Sequence, residues 1–160
     1  FSRPRFRDHL GILLIHDYLL PSNLRDGQDG NRKRPGNPHW YKTGLTGDTH
    51  DGEDLWQALV RKTTNLRLVL NGHEMGAHVG YRQDDNDAGK AVHQMLFNAQ
   101  GLGGGSDHRG NGGDGWLRLL TFEPDGRTLS VRTFSPLRLQ EGRPHFWDDP
   151  RWRFSVDLGV

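Results

Sequence analysis

Two short apolar runs, at residues 11–15 and 66–70, constrain this chain more than anything else in it. The first is continuous rather than alternating, and the second sets Leu66, Leu68, Val69 and Leu70 around Arg67. The first stops at His16, and the second stops at Asn71-Gly72-His73. An unbroken apolar run of this length is the pattern of a strand buried on both faces of a parallel sheet. Residues 21–51, between the runs, are rich in Gly, Pro, Asn and Asp and read as a long loop. A helix is expected next. Asp51 suits its N-cap, and Glu53 and Asp54 fall in the first turn, where carboxylates favour the backbone dipole. Leu55, Ala58 and Leu59 recur at helical spacing, Trp56 and Val60 widen the face, and the helix should end near residues 63–65. Strand, loop, helix, strand places the two strands parallel. Ligand sites in open α/β sheets lie beyond the carboxyl ends of such strands, so His16 and His73 are expected to meet there.

The second half changes character. Residues 91–98 form an expected strand, with Val92, Gln94 and Leu96 on one face and His93, Met95 and Phe97 on the other. Residues 101–115 form a Gly-rich loop. Strands are expected at 116–122 and 128–134, around a Pro-Asp-Gly turn at 124–126. Trp116, Phe122 and Phe134 read as core aromatics. Residues 135–152 look irregular, and residues 153–158 alternate as an edge strand would. The run Asp85-Asn-Asp-Ala-Gly89 resembles the start of a calcium loop but lacks its closing Glu, with Leu96 in that place, and reads as a polar turn.

Composition excludes several classes. Lys+Arg number 21 and Asp+Glu 20, for a net charge of +1 with no polybasic run, so no nucleic-acid footprint stands out. There is no cysteine, hence no disulfide, no thiolate zinc site and no thiol nucleophile. No apolar run approaches the roughly 20 residues of a membrane span. Hydrophobic residues reach only 32% and mean hydropathy is -0.81, against about 45–50% apolar residues, glycine included, in ordinary globular domains.

Imidazole is a good ligand for zinc, manganese or iron, and strand ends hold ligands rigidly. Two strand-end histidines alone divide evenly between metal ligands and structural caps. Longer stretches add weight: Asp54-Leu-Trp-Gln-Ala-Leu-Val-Arg-Lys62, Leu66-Arg-Leu-Val-Leu-Asn-Gly-His73, Gly89-Lys-Ala-Val-His-Gln-Met-Leu-Phe-Asn-Ala-Gln100, Gly112-Gly-Asp-Gly-Trp-Leu-Arg-Leu-Leu-Thr-Phe122 and Val131-Arg-Thr-Phe-Ser-Pro136. In this order they resemble the C-terminal half of the calcineurin-like metallophosphoesterases, in particular bacterial, often exported members. The resemblance covers roughly residues 10–136.

It implies a mixed α/β fold, half of an αββα sandwich, with residues 1–136 as a partial phosphoesterase domain and 137–160 as an extension. It implies two divalent metals, with Fe, Mn and Zn not distinguished, and a phosphate mono- or diester as substrate. His16 matches the family's single histidine. His73 matches the first histidine of its Gly-His-x-His motif, both on one metal. Met75 stands where the second histidine belongs, and a thioether is a poor ligand for such ions. His78 is the nearest substitute.

The family's early motifs, Asp-x-His, Gly-Asp-x-x-Asp and Gly-Asn-His, should precede the strand of His16, and only ten residues precede Gly11. The expectation is therefore an incomplete, inactive portion whose open sheet edge invites self-association. The rival expectation is a non-catalytic module that binds a metal or a partner. Gly47-Asp-Thr-His-Asp51 contains an Asp-x-His, but it is out of order and reads as loop and N-cap, leaving His50 a remote ligand candidate.

Overall fold

β2 (Leu66–Asn71) organises the first half of the molecule. In the computed structural model, which describes residues 4–41, 49–104 and 112–159, it lies inside a four-stranded sheet. It runs parallel to β1 (Gly11–Ile15) on one side and to β4 (Ala91–Phe97) on the other. β3 (Val79–Asp85) completes the order β1-β2-β4-β3. The two interior strands carry the core: Leu66, Leu68 and Val69 of β2, and Val92, Met95 and Leu96 of β4, are all buried. Asn86 Oδ1 accepts from the backbone of Ala88 and Lys90 to form the β3–β4 turn, the polar turn expected there.

Three expectations for the first half need correcting. β1 is not buried on both faces. It is the edge strand, Leu14 is 79% exposed and Ile12 also faces solvent. Its apolar run reflects packing on one face, where Leu13 and Ile15 meet the core. The helix begins as expected, with Asp51 and Asp54 forming a reciprocal capping box. However, α2 (Gly52–Leu55) passes into a wider turn over Trp56–Val60, and the buried stripe is Gly52, Trp56 and Val60; Leu55 packs half-buried against the core, while Ala58 and Leu59 are exposed. Positions four apart lie on one helical face. Trp56 and Val60 are the pair that reaches Tyr18, Leu19 and β2. Finally, β3 forms in a stretch where no strand is expected, as discussed below.

Among its described residues the long loop contains one short helix, α1 (Pro38–Tyr41), and it is tied down by charge. Arg25 is buried. Its Nε meets Glu53 Oε2 at 2.6 Å, its Nη1 meets Asp84 Oδ2 at 2.7 Å, and its guanidinium lies 4.5 Å from the Trp56 ring centre. Gln94 Nε2 donates to the same Asp84 oxygen at 2.8 Å. Burial opposes ionisation of Asp84. The hydrogen bonds from Arg82 and Gln94 and the charges of Arg25 and Arg82 outweigh it and bring the pKa down to about 2.

The chain divides into two compact units, Phe1–Glu74 with Gly80–Leu96, and Met75–Val79 with Phe97–Val160. In the second, β5 (Leu117–Phe122) and β6 (Thr128–Phe134) form the expected hairpin, closed by Asp125 Oδ1, which accepts from the backbone of Arg127 and Thr128. Residues 135–152 are not wholly irregular. Ser135 caps α3 (Pro136–Gln140), and β7 (Phe146–Trp147) pairs with β6. β8 (Phe154–Asp157) is the expected final strand and also pairs with β6. Phe122 is 51% exposed, so it is not the core residue expected, while Trp116 and Phe134 are half-buried. The described residues thus form a mixed α/β fold with eight strands in two sheets and few helices. None of the described helices is long and apolar enough to cross a membrane.

Candidate metal centre at the ends of β1 and β2

The register of the parallel pair decides the geometry. Ile15 stands opposite Asn71, and one residue further Gly72 N donates to His16 O at 3.1 Å. His73 then takes φ +64°, a conformation unusual for a side-chain-bearing residue, and Glu74 N bonds back to Gly72 O at 2.8 Å. That turn points the His73 ring at the end of β1. His73 Nδ1 lies 2.8 Å from His16 Nε2. The two histidines singled out in the sequence are side by side.

Asn71 fixes the neighbouring loop. Its Oδ1 accepts from Leu19 N at 3.2 Å and its Nδ2 donates to Leu19 O at 3.1 Å, as a strand neighbour would. The chain after His16 is thereby held against β2, and Asp17 is driven inward to 4% exposure. Both Asp17 carboxylate oxygens are buried without a hydrogen-bond partner. Asp26 is an acidic neighbour of this carboxyl. Two ionised carboxylates only accept, so a bond between them requires a shared proton. Burial first, then contact with Asp26, and then the charges of Asp26 and Glu74 push Asp17 up to about 8.

Arg34 closes the cluster. Its Nη2 donates to Asp26 Oδ2 at 2.7 Å and its Nη1 to Glu74 Oε1 at 2.8 Å. Asn37 Nδ2 holds the other Asp26 oxygen at 2.9 Å. The Tyr41 ring lies 5.6 Å from that of His73. One donor atom each from Asp17, His73 and Glu74 lies within 4.8 Å of the others.

These residues fit a divalent ion on two observations. Two nitrogens bound to one ion at about 2.0–2.1 Å stand about 3.4 Å apart in a tetrahedral site, so the two rings, hydrogen-bonded at 2.8 Å, need part only slightly to share an ion. Beside them lies the buried Asp17 carboxyl, whose oxygens have no hydrogen-bond partner. Asp17 and Glu74 were not picked out in the sequence. Each directly follows a candidate histidine, in His-Asp and His-Glu doublets, and that adjacency was the available signal.

The remaining sequence candidates behave differently. Met75 is half-exposed and belongs to the other compact unit, as does His78, whose Nδ1 sits 3.1 Å from Asn98 O. Gly47 and Asp48 of the out-of-order Asp-x-His lie outside the described residues, and Asp51 is the N-cap.

Asp17 has a testable signature. An acid whose folded pKa is raised gives stability that is complete below its ordinary pKa and lost as pH rises through the folded value. In chelator-treated protein, Asp17→Asn should raise Tm at pH 9 and leave it unchanged at pH 4. Parallel Tm-versus-pH curves for the two proteins would contradict the buried acid.

A curated relative, the uncharacterized protein YvnB of Bacillus subtilis (strain 168), is 33% identical over 136 residues, covering 81% of this chain. The chain spans only 8% of that relative's length. No protein-family model matches the chain, and no solved structure does either.

Proposed function

We propose that this chain contributes two imidazole ligands, His16 and His73, to a divalent metal centre of a calcineurin-like phosphoesterase. The observation that carries the reading is the approach of their ring nitrogens to 2.8 Å at the ends of adjacent parallel strands. The order of the resembling segments supports the family, and with it the αββα sandwich to which the two sheets would belong. Asp17 and Glu74 are the nearest further donors. A divalent ion held there supplies positive charge to a phosphate mono- or diester and to the developing charge of its transition state. The residues of this chain position the ion and exclude water from one side of it. In this reading the family's early motifs belong to chain outside these 160 residues, so the chain alone binds an ion without turnover.

A second reading is favoured by Met75. A thioether in place of a second motif histidine leaves one ion site and no dinuclear centre, as in a module that binds metal without catalysis.

Calorimetric titration of the chelator-treated chain with Mn2+ and Zn2+ tests the shared premise. Binding should be saturable, and His16→Ala and His73→Ala should each weaken it by more than about a hundredfold, beyond the cost of losing an outer-shell partner. Unaltered affinity in both variants would sink both readings. Hydrolysis of p-nitrophenyl phosphate or its bis-ester by the longer natural protein, lost in His73→Ala, selects the phosphoesterase. Metal binding without hydrolysis selects the module.

A further inference from the structure

A second set of donors lies in the same unit and shares no residue with the His16–His73 cluster. His39 comes from α1, Asp51 is the N-cap of α2, and Asp54 is in its first turn. One donor atom from each lies within 4.8 Å of the others. His39 Nε2 is 3.1 Å from Asp54 Oδ2 and 3.6 Å from Asp51 Oδ2. Donors bound at about 2.0–2.1 Å around a four-coordinate ion stand about 3.4 Å apart, and the two observed separations bracket that value.

Asp51 supplies an independent indication. It is fully buried. Its Oδ1 accepts the capping bond from Asp54 N at 3.0 Å, whereas its Oδ2 has no hydrogen-bond partner. That oxygen fills the space left by the missing side chain of Gly27, where a Cβ would lie only 2.0 Å from it. The groups nearest it are the Arg32 Nε at 3.3 Å and the His39 Nε2 at 3.6 Å. Arg32, whose side chain is 48% exposed, reaches in from solvent and also bonds Asp54. His50, half-exposed at the rim, places Nδ1 4.0 Å from Asp54 Oδ2.

We propose that His39, Asp51 and Asp54, with His50 available as a fourth donor, form a second divalent-cation site, and that Arg32 occupies its charge in the ion's absence. Imidazole and carboxylate together suit Zn2+, Mn2+ or Fe2+ rather than soft ions. The carboxylates carry two negative charges against one on Arg32. An ion would displace the guanidinium, which can return to water at little cost. The site stands whether or not His16 and His73 bind metal.

The test uses Co2+ on the chelator-treated chain, read by ligand-field absorption, with His16→Ala/His73→Ala as background. Co2+ should still bind this background at one equivalent. Adding His39→Ala should weaken binding by more than about a hundredfold. Adding Arg32→Ala instead should tighten it several-fold, because a competing cation is removed. A purely structural ion-pair cluster has no reason to do this. The proposal is overturned if the background variant binds no Co2+, if His39→Ala leaves affinity unchanged, or if Arg32→Ala fails to tighten binding. Circular dichroism confirms folding of each variant. Should His39→Ala unfold the chain, the Arg32→Ala result decides. Loss of one equivalent between wild type and the background bears on the His16–His73 reading alone.

Discussion

Replacing Arg25 with Ala should destabilise the chain by about 3 kcal/mol, the lower end of the cost of removing one member of a buried ion pair. The lower end applies because Glu53 and Asp84 retain some exposure and Arg82 still bonds Asp84. The loss has three physical parts. Two carboxylates lose their shared cation, Gln94 Oε1 loses its donor at 3.3 Å, and the Trp56 face loses its guanidinium. Arg25→Lys should recover little, since a single ammonium cannot reproduce the fork that meets both acids. Urea denaturation monitored by Trp fluorescence gives the number, and a change below about 1 kcal/mol would mean that the cluster does not hold the loop.

The same cluster sets part of the acid limb. Asp84, whose pKa is lowered to about 2 from 3.8, contributes stability above pH 4 that is lost as pH falls toward 2. That limb should be shallower in Arg25→Ala.

The second large effect runs against helix propensity. Gly52 is the first residue of α2, and Gly→Ala in a helix ordinarily stabilises by up to about 1 kcal/mol. Here a Cβ would lie 2.1 Å from Tyr18 O and 3.0 Å from Asp26 N, both backbone atoms. Backbone cannot yield as a side-chain tip can. The bonds Asp26 N to Tyr18 O and Glu53 N to Asp26 O, each 2.8 Å, run through the same place. Overpacking of about 1–3 kcal/mol and two disturbed hydrogen bonds at about 1 kcal/mol each exceed the propensity gain. Gly52→Ala should therefore lose about 2–4 kcal/mol, a fall in Tm of roughly 5–15 °C for a domain of this size. A rise in Tm would show that the Tyr18–Asp26 segment can move aside.

The elements visible in the sequence are those specified locally. The two apolar runs, the Asp51 cap and the Pro-Asp-Gly hairpin each depend on residues a few positions apart, and each is found in the fold. β3 was invisible because its sequence, Val-Gly-Tyr-Arg-Gln-Asp-Asp, has no apolar alternation. It is held by side chains such as Asp84, whose partners Arg25 and Gln94 come from elsewhere in the chain. β1 looked like a core strand because apolar residues occupy both its faces, while the fold covers only one. The histidine pair was legible because strand ends and parallel pairing follow from pattern. Asp17 was not, because its burial depends on Asn71 gripping Leu19 and on Asp26, Arg34 and Asn37 folding over it from a polar loop. Nothing in a loop's composition tells which of its charges will face inward.

The strand order also sets a timetable for synthesis. β4 is made after β3 but lies between β3 and β2. A growing chain that has emerged through Asn71 can pair β2 with β1, yet the other edge of β2, with Leu68 and Val69, stays open until β4 emerges. At about 5–20 residues per second this interval lasts on the order of seconds. Folding of the first unit is therefore a post-β4 event. A ribosome paused within β3 would hold out an unpaired apolar strand, open to a chaperone or to the edge of a neighbouring nascent chain.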